Sequence, residues 1–140
     1  MRKVWMLAVL GAACAGASDM RQEGQGEGAG DSRGVVLIRD AQTLFGTAAY
    51  CSSPATIDLA KAEAATPEGR EIAVANVARG SARYRLLRSA MHIRLVAVCS
   101  QVARRDGFDL VVRDGDIADA RGLAVGDLTA GVERIVRRSQ

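Results

Sequence analysis

The run GVVLIRD, from Gly34 to Asp40, is aliphatic and β-branched between two turn formers, which predicts a buried strand. From Ala41 to Ala49 the composition suits a helix, which Cys51, Ser52, Ser53 and Pro54 interrupt. Ser53 before Pro54 has the form of an N-cap followed by an N1 proline. A helix is therefore expected to restart there and to run through Ile57 and Leu59 to Ala65. Thr66 and Pro67 repeat the arrangement and open a helical pattern reaching Arg105, with Pro67, Gly69 and Gly80 as its weak points.

Within that pattern Tyr84, Leu87, Met91, Leu95, Val98 and Val102 recur at intervals of three and four, the stripe by which a helix packs on a core. Leu86, Ala90, Ile93 and Ala97 form a second, flatter stripe, so this helix needs more than one neighbour, from a helical hairpin or a bundle of chains. After Gly107 the period becomes two. Phe108, Leu110 and Val112 alternate with Asp109, Val111 and Arg113, and Asp114-Gly115 is a favoured hairpin turn into Asp116, Ile117 and Ala118. Leu128, Val132, Ile135 and Val136 then mark one face of a terminal helix capped by Asp127 or Thr129. Strand, helices, hairpin and helix, in that order, make an α+β chain.

The chain has 140 residues, 49% hydrophobic and 25% charged, enough for one small domain and too few for a large two-domain enzyme. Arg2 and Lys3 precede an apolar stretch at 4–13, and Ala15 and Ala17 complete an A-x-A site, so residues 1–17 have the layout of a secretory signal peptide with the mature chain starting at Ser18. That apolar stretch is too short for a lasting transmembrane span. Cys14 raises the alternative of a lipid-anchored envelope protein, although Leu10 lies four positions before it rather than the three a lipobox wants. Residues 18–33 are glycine-rich and polar and are expected to form a flexible leader. Gly24, Gly26, Gly28 and Gly30 are evenly spaced and make no dinucleotide-binding fingerprint.

Charge is segregated. Between Arg70 and Arg105 stand eight arginines and one glutamate, whereas between Asp106 and Asp119 stand five aspartates and one arginine. Arg79, Arg83, Arg85, Arg88 and Arg94 mostly lack acidic residues three or four positions away, which leaves their charge available to a partner. Nucleic acid is a poor partner for an exported chain.

The aspartates invite a metal reading, but counting a calcium loop from Asp114 places Ala118 fifth, Asp119 sixth and Val125 twelfth, where an EF-hand needs a ligand, a glycine and a glutamate. No nucleophile elbow or H-E-x-x-H occurs, and His92 is the chain's one histidine, so neither a Cys/His zinc site nor Ser/His/Asp catalysis is expected. No metal, cofactor or catalytic residue is assigned. Cys51 and Cys99 could pair in an oxidising compartment, but their spacing does not decide it.

Three segments carry a resemblance: VVLIRDAQTLF (Val35 to Phe45), VARRDGFDLVVRDGDI (Val102 to Ile117) and VGDLTAGVERIV (Val125 to Val136). Together they resemble the Skp/OmpH family of periplasmic chaperones, with Gly107 to Val111 in the place of its late strand and Asp127 to Thr129 capping the last helix. The resemblance implies a homotrimer with a small β body, from residues 34–45 and 106–140, and a projecting antiparallel, coiled-coil-like helical hairpin from residues 46–105. It also implies an ATP-independent holdase for unfolded outer-membrane proteins. The hairpin is short for the family, since two arms of about 25 residues reach only about 38 Å. Client contacts are expected on Arg79, Arg83, Arg85 and Arg88 together with Tyr84, Leu87 and Met91. The competing expectations are an envelope-anchored structural protein lipidated at Cys14 and, behind it, a small hydrolase or metal-binding protein using the aspartates.

Overall fold

A computed structural model describes residues 34–139. The expected signal peptide at 1–17, with Cys14, and the expected leader at 18–33 lie outside the described residues. The elements are β1 (Val36–Leu37), β2 (Thr43–Gly46), β3 (Pro54–Ile57), α1 (Leu59–Ala65), α2 (Pro67–Val74), α3 (Ala82–Asp106), β4 (Leu110–Arg113), β5 (Ile117–Asp119), β6 (Gly126–Asp127) and α4 (Thr129–Arg138). The α+β class expected from the pattern is present.

Strand β4 is the centre of the fold. It lies between β2, antiparallel to it, and β3, parallel to it, and β6 extends the sheet by pairing parallel with β3. Leu110, Val111 and Val112 are all fully buried because each face of the strand meets its own core. Val111 joins Ile57, Leu95, Val102, Leu128, Val132 and Val136 beneath α1, α3 and α4. Leu110 and Val112 join Val35 and Cys51 on the opposite face. Period two correctly marks a strand here, but both of its faces are interior.

The DG turn forms, with Gly115 at φ 84° and Asp116 N–H donating to Arg113 O at 3.0 Å. It does not close a hairpin, because both edges of β4 are already occupied by β2 and β3. Strand β5 instead pairs antiparallel with β1, Val36 opposite Asp119 and Leu37 opposite Ile117. The buried Asp116 carboxylate holds this corner: it accepts from Gln42 N–H at 2.7 Å and from the Arg113 guanidinium at 2.8 Å. The expected buried strand at 34–40 is thus only the two-residue β1, with Val36 and Ile38 exposed.

The expected helical hairpin at 46–105 is not formed as a long antiparallel pair. Pro54 opens strand β3 rather than a helix; its missing N–H is harmless at a strand start, and the β-branched Thr56, half-buried, and Ile57, buried, suit a pleated strand. The helix expected over 41–49 is likewise replaced by β2. Helix α1 begins later, where the Asp58 carboxylate accepts from Lys61 N–H. Thr66-Pro67 does start a helix, its hydroxyl accepting from Gly69 N–H at 2.9 Å. That helix, α2, has eight residues against the 25 of α3. Gly80, at φ 87°, separates them. The C-terminal half of α3 does not project; Leu95, Val98, Cys99, Val102 and Ala103 lie in the core.

Candidate client-binding surface

Helix α3 carries six of the seven expected contact residues, and its ends are well determined. Ser81 Oγ accepts from Tyr84 N–H at 3.1 Å, and Gly107 takes the left-handed conformation that ends the helix. The inner stripe is the one the spacing predicts: Met91, Leu95, Val98 and Val102 are buried, while Tyr84 and Leu87 are half-buried. Three of the expected residues, Tyr84, Arg88 and Met91, meet in an open groove of about 240 Å³ between α1, α2 and α3, together with Ala60, Glu63, Ala64, Gly69 and Ile72. Leu87 lies outside its lining.

Most of the arginines on α3 are not left without counterions. Folding brings acids from α1 and α2 against them: Arg83 to Glu71 at 2.6 Å, Arg88 to Glu63 at 2.7 Å and Arg94 to Glu68 at 2.8 Å. Burial acts to raise the Glu68 carboxyl, but the paired hydrogen bonds from Arg94 outweigh it and hold the group below the ordinary value. Arg79, in the connection before α3, and Arg85 remain exposed with no ion pair among the described residues. The expectation of freely available charge therefore holds for two of the four arginines assigned to the client. The counterions were hidden from sequence because they lie up to 26 positions away.

Most of the aspartates hold turns, caps or ion pairs. At the carboxyl ends of the parallel strands, Asp58, Asp114 and Asp127 line a hollow of about 280 Å³ with Thr56, Lys61 and Thr129. Asp58 is bound by Lys61, its backbone N–H donates to Thr129 Oγ1, and Asp127 accepts from Thr129 N–H at 2.8 Å, so two of the three acids serve helix starts. No group of three or more metal-ligating side chains occurs among the described residues.

Asp109 does a different task. It accepts from Cys51 Sγ–H at 3.0 Å, from Ser52 N–H and Oγ–H at 2.8 and 2.7 Å, and from Ser53 N–H at 3.0 Å, tying the entry of β3 to the entry of β4. Burial tends to raise its carboxyl, but these donors prevail and hold it far below the usual range. Burial, reinforced by that neighbouring carboxylate, pushes the Cys51 thiol up to about 12, and burial alone pushes Cys99 to about 11. Both cysteines are free and belong to opposite cores, so no disulfide joins them.

The outer stripe of α3 is open. Leu86 is 72% and Ile93 67% exposed, and Ala90 and Ala97 are exposed between and beyond them. No helix among the described residues is long and apolar enough to cross a membrane. No protein-family model, curated protein or solved structure matches the chain.

Proposed function

We propose that the protein is an ATP-independent holdase of the Skp/OmpH kind, exported to the periplasm, assembled as a homotrimer and binding unfolded outer-membrane proteins. The observation that carries this reading is the groove in which Tyr84, Ile72, Ala60 and Ala64 offer apolar surface over the buried Met91, beside the Arg88–Glu63 pair. Arg79 and Arg85 stand outside the internal ion pairs and add attraction for acidic client segments. The resemblance at Gly107 to Val111 and Asp127 to Thr129 supplies the client class, the compartment and the trimer. A small apolar contact of this kind, helped only by the separate charges of Arg79 and Arg85, binds weakly, which suits release without nucleotide. Arg83 and Arg88 contribute only by exchanging Glu71 and Glu63 for a client carboxylate.

The test is suppression of aggregation of an unfolded outer-membrane β-barrel by the purified protein. Suppression should occur at low salt and weaken as salt rises. Ala64→Trp, which fills the groove from an exposed position, should reduce it without lowering the melting temperature. An absence of suppression at low salt rejects the holdase reading.

A further inference from the structure

We infer that the outer stripe of α3 is a self-association surface on which a second copy of this chain packs antiparallel. Leu86, Ala90, Ile93 and Ala97 follow the 4-3-4 spacing of a coiled-coil seam, and large and small side chains alternate along it. Turning one copy end for end about a point between Met91 and His92 sets Leu86 against Ala97 and Ala90 against Ile93. Every large residue then meets an alanine, and at the ends Arg83 meets Ser100 and Ala82 meets Gln101. A parallel copy would oppose Leu86 to Leu86 and Ala90 to Ala90, a worse fit for close packing. A contact that obeys this rule is isologous and closes at two copies.

Charge points to the same occupant. From Leu86 to Ala97 the stripe holds no charged residue, while Arg83, which shares the helix side of Gln101, and Arg94 at the border are already neutralised by Glu71 and Glu68 of α2. Arg85, which has no such counterion, lies about 100° around the helix from Leu86. The stripe is thus neutral and alanine-rich, a better seat for another copy of itself than for an acidic peptide. Its extent sets the strength. Nineteen steps along the helix span about 28 Å, and a face about 10 Å wide gives roughly 300 Å² per copy, well below the roughly 800 Å² per partner of a standard stable interface. Association is accordingly weak and reversible.

Sedimentation of the purified protein from low to high micromolar concentration tests this independently of client binding. The mass should double from whatever unit the chain otherwise forms, monomer or trimer. Ile93→Lys should weaken the doubling by about a hundredfold, because each of two copies loses a buried isoleucine, and Ala97→Glu should weaken it too, both with an unchanged melting temperature. Mixing Ala90→Cys with Ile93→Cys chains under oxidation should give the mixed disulfide, identified by peptide mapping, in preference to either like pair. Absence of doubling, doubling indifferent to both substitutions, or like-with-like disulfides would each overturn the inference. So would capture by the stripe of an acidic peptide or anionic vesicles in place of a second copy.

Discussion

Asp109 shows how far one residue's role departs from its appearance. Its carboxylate accepts four bonds from Cys51, Ser52 and Ser53, so truncation strands the sheltered Cys51 thiol and Ser53 N–H at the junction of β3 and β4, while water can serve the exposed Ser52. Asp109→Ala is expected to cost about 1–3 kcal/mol, read by denaturant unfolding. The pH dependence follows from the same bonds. A carboxyl held low in the fold contributes stability above its unfolded value, about 3.9, and loses that contribution as pH falls through the folded value. Thermal melts should therefore show an acid decline beginning near pH 4 that is shallower in Asp109→Asn. Gly46, at φ 77°, belongs to the same junction: a Cβ there would strike the Asp109 carbonyl, leaving room for glycine alone.

At the scale of elements, the short helices are held by caps and by cross-helix pairs rather than by their own length. Thr66 is fully buried, donates its hydroxyl to Glu63 O at 2.6 Å and accepts from Gly69 N–H at 2.9 Å, ending α1 and starting α2 at once. Thr66→Ala should cost about 1–2 kcal/mol and speed amide exchange in α2 more than in α3, measured by hydrogen exchange. The Thr66-Pro67 cap, α3, the β4 strand, its following turn and α4 were legible because their signals are local: a side-chain oxygen before proline, a 3.6-residue stripe, period two, Asp-Gly. The same local reading failed at Ser53-Pro54. There the cap pattern is present, but Asp109, 56 positions on, takes the Ser53 N–H and recruits the segment to the sheet.

On the scale of the molecule, β4 is buried on both faces and separates two cores, each holding one cysteine. With the thiols free and apart, adding a reductant is expected to leave the melting temperature of the described domain unchanged; a drop would show a disulfide and contradict the cores as placed. The candidate groove was half legible. Tyr84, Arg88 and Met91 share a helix face by spacing alone, whereas Ala60, Ala64 and Ile72 come from α1 and α2, and only packing sets them opposite.

Sequence alone determined the α+β class, the inner and outer stripes of α3, the turn at Asp114-Gly115 and the terminal helix, since each rests on residues within one or two turns of one another. Tertiary structure decided which strand pairs with which, because β4 has only two edges and β2 and β3 occupy both before β5 is reached. It likewise decided which arginines keep an uncompensated charge. A charge is neutralised by whatever lies within a few ångströms in space, and for Arg83, Arg88 and Arg94 that is a glutamate from another helix.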